Sequence, residues 1–232
     1  LERLFLKLYE EERELPVRIF LDASESMTFG TPVKFDFARQ VAAAIGYVAL
    51  CGFDRVTVCP FPDKPDEAAF RGALRAVRGR KSALTFFQNL NQITAQGAAN
   101  LNDALRRGAL EARQAGVAVV LTDFLDPAGY DSGLSALVSR GFQVSAVQIL
   151  SPEELNPGTY GDLKLIDAET GGIQEVTFGR FRMKAYQETV ANFCQRLREF
   201  CQTRGIAYFM ASSDTPLEQL LLRQLREAEI WK

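Results

Sequence analysis

The chain contains no histidine among its 232 residues. That absence excludes Ser-His-Asp and Cys-His catalysis, His-ligated zinc and imidazole acid/base chemistry together. There is no basic excess either: the net charge is −2 and the pI near 5.5, which argues against broad nucleic-acid binding. No apolar run approaches the length of a membrane span, and no signal-peptide pattern opens the chain. The four cysteines, Cys51, Cys59, Cys194 and Cys201, never fall in Cys-x-x-Cys spacing, so no zinc or redox pair is signalled. They read as small buried hydrophobes in a reducing cytosol. Also missing are a Gly-x-x-x-x-Gly-Lys-Ser/Thr phosphate loop, a strand-following Gly-x-Gly-x-x-Gly and a Gly-x-Ser-x-Gly elbow, which leaves nucleotide hydrolysis, dinucleotide binding and serine esterase chemistry unsupported.

What is present is an ordinary globular composition, 47% hydrophobic and 24% charged, ample for a real core. The chain is organised around Phe20-Leu-Asp-Ala-Ser-Glu-Ser-Met27. An apolar run from Val17 to Leu21, bounded by Pro16, reads as a buried strand. Asp22, Ser24 and Ser26 fall where it ends, and open α/β sheets bind ligands beyond the carboxyl ends of their strands. One carboxylate and two hydroxyls form a hard, oxygen-only set of the kind Mg²⁺ prefers. The spacing resembles the Asp-x-Ser-x-Ser metal motif of von Willebrand factor A-type domains.

Further along, Lys34 to Leu50 follows a 3.6-residue apolar period and predicts a helix stopped by Gly52. Asp54 to Phe61 reads as a strand and Asp66 to Val77 as a helix, with Arg71, Arg75 and Arg78 on one solvated face. Helices are expected over Ser82 to Ile93 and Leu101 to Gln114, the latter capped by Asn100 or Asn102. Val117 to Leu121 is an apolar strand running into Thr122-Asp123-Phe124, so a second strand ends in an aspartate. A helix from Gly133 to Arg140 and a strand from Phe142 to Leu150 follow. Leu163 to Asp167 and Gln174 to Phe178 flank a Gly-Gly turn as a hairpin. Lys184 to Thr203 is a long helix with Cys194 and Cys201 on one face, Ile206 to Ala211 the last strand, and Pro216 opens a final helix. Leu4 to Tyr9 reads as an opening strand. Alternating strands and helices imply βαβ units, a mainly parallel sheet and helices on both faces. The expectation is a single α/β domain over residues 1–232.

Taken in order, these segments resemble the von Willebrand factor A-like proteins that bacteria encode beside MoxR-type AAA+ ATPases. The resemblance is carried by residues 8–15, 20–27, Lys-Phe-Asp-Phe-Ala (34–38), Asp-Arg-Val (54–56), Leu-Asn-Asp-Ala-Leu (101–105), Thr-Asp-Phe-Leu-Asp (122–126), Pro-Glu-Glu-Leu (152–155) and Asp-Ala-Glu-Thr-Gly (167–171). It implies a Rossmann-like von Willebrand factor A domain, truncated at the N-terminus since the chain opens at Leu1. It implies a metal-ion-dependent adhesion site with ligands Asp22, Ser24, Ser26 and Asp123. The threonine of the family's Gly-Gly-Thr-x-Leu loop is Ala99 here, within Gly97-Ala-Ala-Asn-Leu101, so Mg²⁺ binding is expected to be weak or absent.

The functional expectation is a cytoplasmic, non-catalytic protein-binding adaptor, working with a MoxR-type AAA+ ATPase on a client protein. Neither nucleic acid nor a membrane span is expected. The competing expectation is an Mg²⁺-dependent phosphoester hydrolase using Asp22 and Asp123. Haloacid-dehalogenase chemistry is disfavoured, because the position two after Asp22 is Ser24 where that chemistry needs a second aspartate. Asp126 and Asp131 read as loop-solvating residues, Asp36 and Asp103 as first-turn helix residues, Glu25 as a solvated loop residue or partner contact, and Phe29 and Phe124 as packed rings.

Overall fold

The computed structural model describes residues 14–62, 76–157, 161–166, 173–178 and 180–219. Its strands are β1 (Pro16–Asp22), β2 (Arg55–Phe61), β3 (Val77–Arg78), β4 (Val117–Thr122), β5 (Gln143–Leu150), β6 (Gly161–Ile166), β7 (Ile173–Phe178) and β8 (Ala207–Ser212). Its helices are α1 (Lys34–Cys51), α2 (Ala83–Asn91), α3 (Leu101–Glu111), α4 (Asp131–Ser139), α5 (Pro152–Leu155), α6 (Arg180–Thr203) and α7 (Leu217–Gln219).

Six strands form one sheet in the order β3-β2-β1-β4-β5-β8, parallel except for the antiparallel edge strand β3. The two central strands, β1 and β4, have both faces covered and so are apolar at nearly every position: Val117 to Thr122 is buried without a break. Strand order runs one way from β1 to β3 and the other way from β4 to β8, so the β1/β4 seam is the topological switch point of a doubly wound sheet, where such folds open a crevice. The mainly parallel α/β architecture expected from the alternation of elements is the one observed.

Two cores sandwich the sheet. On one face, Val17, Ile19, Leu21, Val119, Leu121, Val147 and Ile149 pack against α1 and α2. On the other, Phe20, Ala118, Val120, Val144 and Ala146 pack against α3, α4 and α6. Small residues set the helix distances. A Cβ on Gly46 of α1 would lie 2.2 Å from the Phe86 ring, and one on Gly108 of α3 would lie 2.4 Å from the Phe20 ring. In each case the glycine lets an aromatic ring fill the volume beside the helix backbone.

The hairpin β6–β7 forms a separate two-stranded sheet with Ile166 opposite Ile173, as the Gly-Gly turn signal predicts. One helix expectation fails in part. Val77 and Arg78 pair with Val56 and Arg55 as the sheet edge, so they are not helical. There the β-branched valine extends an existing sheet, and pairing overrides a local helical pattern. The rest of the 66–77 segment, the Leu4 to Tyr9 strand and most of the final helix lie outside the described residues.

Candidate functional site at the sheet switch point

Because β1 and β4 are hydrogen-bonded neighbours with Leu21 opposite Leu121, the residues just past them emerge side by side. Asp22 closes β1, and Asp123 follows β4 directly. Phe124, next in line, adopts a left-handed backbone (φ 62°) that few non-glycine residues tolerate. Its ring turns into the core, edge-on to Tyr130 at 6.0 Å, as a packed ring. Phe29 does differ: it is 51% exposed, at the end of the short 3-10 turn Glu25–Thr28.

Ser24 and Ser26 stand on the loop after β1, with their Oγ atoms 3.0 Å apart. Ser26 Oγ donates to Asp123 Oδ2 at 3.4 Å. The Gln96–Gly97 segment docks on the same loop: Gln96 N–H donates to Ala23 O and Glu25 N–H to Gly97 O, both at 2.8 Å. All four residues expected from sequence, and the loop bearing Ala99, therefore converge on one place.

The hydrogen bonding there is closed. Asp22 Oδ1 accepts from Ser24 N–H at 2.9 Å, and its Oδ2 accepts from the Thr122 hydroxyl. Asp123 Oδ1 accepts from Leu125 N–H at 2.9 Å. Asp123 Oδ2 accepts from the ammonium of Lys34, the first residue of α1, at 2.7 Å. The same Lys34 Nζ donates to Glu154 Oε1 at 2.6 Å. Glu154 is itself fixed by a capping box at the start of α5: its Oε2 accepts from Ser151 N–H, and its own N–H donates to Ser151 Oγ. Asp22, Ser24, Lys34 and Asp123 are each 2% exposed or less, whereas Ser26 and Glu154 are partly exposed.

Charge follows from this burial. Desolvation, and then the neighbouring charge of Asp123, pushes the Asp22 carboxyl up to about 7, although hydrogen bonds from Thr122 and Ser24 act the other way. For Lys34, burial works against the ammonium, but the Asp123 and Glu154 carboxylates together outweigh it and hold its pKa above the ordinary lysine value. A lysine at the first helical position runs against the helix dipole, which favours negative charge there. Asp36 in the same turn and the two carboxylates that receive the ammonium compensate.

A divalent ion held by Asp123 Oδ2 would meet the Lys34 ammonium already bound there. Like unit charges 4 Å apart repel by about 4 kcal/mol at an effective dielectric of 20, and a divalent ion doubles that. Ala99 adds no side-chain oxygen. The residues as arranged do not fit a resident Mg²⁺.

Several contributors went unread in the sequence. Thr122 holds Asp22. Gln148 donates from Nε2 to the Asp123 carbonyl at 3.2 Å and accepts from Tyr208 OH at 2.7 Å, tying the site to β8. Asp126, read as loop-solvating, caps α3 by accepting from Leu101 N–H at 2.8 Å. Asn100 is the N-cap proper, and buried Asn102 instead bridges Ala128 O, Gly129 O and Gly133 N–H. The one available signal was the lysine placed where a helix starts.

Fold and site together define a doubly wound α/β domain with an acid-and-hydroxyl cluster, in which a buried lysine pairs two carboxylates, at its switch point. The chain belongs to the family described as "Protein of unknown function DUF58", which matches residues 1–195. Uncharacterized proteins of Mycobacterium bovis and Mycobacterium tuberculosis are each 31% identical over 173 residues, covering 71% of this chain and 51% of theirs. The chain thus spans about half the length of these curated relatives. Its fold is similar to that of the conserved hypothetical protein BatB from Bacteroides thetaiotaomicron (TM-score 0.52, 14% identity, 94% of this chain and 100% of that one). It is also similar to an aerotolerance-related membrane protein from Bacteroides fragilis (TM-score 0.50, 16% identity, 90% of this chain and 97% of that one). Among the described residues no helix is long and apolar enough to cross a membrane.

Proposed function

We propose that this domain is a non-catalytic protein-binding adaptor that docks a client at the switch-point rim, in the bacterial cytoplasm, with a MoxR-type AAA+ ATPase supplying the energy. The observation that carries this reading is the saturation of the aspartates: both oxygens of Asp22 and both of Asp123 already hold a donor. A carboxylate so engaged is poorly placed to abstract a proton or attack a phosphorus, since a general base must reach its target within hydrogen-bond distance. Beside the cluster, Phe29 and Leu125 are 51% and 47% exposed. A protein interface has an apolar core and a polar rim, and these two exposed side chains beside the polar cluster supply apolar surface for such a core. The ATPase partnership rests on the ordered sequence motifs that resemble the MoxR-associated proteins.

The test is a pull-down of the full-length protein from its native cell, in parallel with a Phe29→Ala, Leu125→Ala variant. The reading expects an AAA+ ATPase and a client in the wild-type eluate and loss of the client from the variant's. Hydrolysis of a generic phosphoester above background with Mg²⁺ or Mn²⁺, abolished by Asp22→Asn, would instead establish the hydrolase.

A further inference from the structure

We infer that Lys34 is the cation of this site: its ammonium takes the place of a divalent ion, and Glu154 supplies the second acid group that closes the shell. The inference deepens the adaptor reading, making docking independent of metal, but its test needs no partner.

Three independent features converge. The ammonium is wholly buried and in contact with Asp123 Oδ2, the carboxylate oxygen that Ser26 also faces. Its second acceptor, Glu154, comes from another element, and the capping box with Ser151 fixes that carboxylate independently of the lysine. The loop leading into Lys34 is itself clamped over Ser151. A Cβ on Gly30 would lie 2.4 Å from Ser151 Cβ, Thr31 N–H donates to Glu153 Oε1 at 3.1 Å, and Ser213 Oγ donates to Pro32 O at 2.7 Å. Such a clamp delivers the lysine to one position. A single positive charge shared by two carboxylates, with hydroxyls close by, reproduces the task of a metal bridging protein oxygens to an incoming acid, using only this chain's own groups.

The lysine then excludes divalent ions, and removing its charge should admit one. The experiment titrates Mn²⁺ to about 1 mM, the weak end of protein sites for hard divalent ions, following free Mn²⁺ by electron paramagnetic resonance and the melting temperature in parallel. The proteins are wild type, Asp123→Asn, Lys34→Met, Lys34→Gln and Lys34→Met with Asp123→Asn. Wild type is expected to take up no Mn²⁺ and to melt unchanged with or without a chelator. Lys34→Met, or Lys34→Gln where the methionine variant does not fold, is expected to bind one ion and gain melting temperature with Mn²⁺. Adding Asp123→Asn should abolish both effects. Wild-type Mn²⁺ binding that Asp123→Asn removes would overturn the inference. So would folded Lys34 variants that bind no ion.

Discussion

Lys34 Nζ lies 2.7 Å from Asp123 Oδ2 across 89 residues of chain, with both side chains almost completely buried. Removing one member of such a pair leaves the other charged and unsolvated, at a typical cost of about 3–5 kcal/mol. Lys34→Ala is therefore expected to lose roughly that much stability in urea unfolding with a chelator present. Asp123→Asn should cost less, because Glu154 still receives the ammonium. Equal losses for the two single variants would mean that Glu154 contributes little.

Asp22 predicts a pH dependence of definite sign. Its carboxyl is raised from the ordinary 3.8 to about 7 in the folded chain, chiefly by burial. Between those values the native state holds a proton that the unfolded state has released, so stability falls as pH rises through this window. Each pKa unit corresponds to about 1.4 kcal/mol. Asp22→Asn removes the titration, and its unfolding free energy should vary less with pH between 4 and 7 than that of wild type. Parallel urea melts at several pH values read the difference in slope. Identical slopes would place the Asp22 titration outside this range.

The glycines at one helix–helix and one helix–strand contact should resist even a methyl group. Gly46→Ala and Gly108→Ala would drive a Cβ into the rings of Phe86 and Phe20. Alanine's helix propensity favours the substitution by up to about 1 kcal/mol, but overpacking of this kind costs about 1–3 kcal/mol. Net destabilisation in thermal melts is the expected result for both. A raised melting temperature would show that the rings can move aside.

Thiol chemistry should separate Cys51 from Cys201. Cys51 at the end of α1 is exposed, whereas Cys201 on α6 is buried and desolvation pushes its pKa up to about 12. The thiolate is the nucleophile, so native Cys201 should resist iodoacetamide at pH 8 while Cys51 reacts, and both should react in denaturant. Mass spectrometry of the labelled peptides distinguishes them. Native labelling of Cys201 would mean that α6 opens locally.

Much of the architecture was legible in the order of residues. Short β-branched runs alternate with helical periods, and each central strand had to be apolar on both faces to lie between two helix layers, which is how Val17 to Leu21 and Val117 to Leu121 announce themselves. Two such runs ending in aspartates put Asp22 and Asp123 on one edge of a parallel sheet; that they share a site was implied only by the von Willebrand factor A resemblance, and the β1/β4 pairing makes them neighbours. Val77 shows the limit. An edge strand of two residues is defined by what it pairs with and carries no period of its own.

The electrostatic state of the site was decided by tertiary structure alone. Within its own segment Lys34 is an unremarkable residue at a helix start, and its meaning comes from carboxylates 89 and 120 positions away. Composition determines how many charges a chain carries and periodicity determines which faces are buried. Which opposite charges meet, and whether an oxygen cluster is left open for a metal or filled by the chain's own ammonium, depends on how the α1 loop, β4 and α5 converge in space, since a Coulomb interaction depends on distance through the fold and not along the sequence.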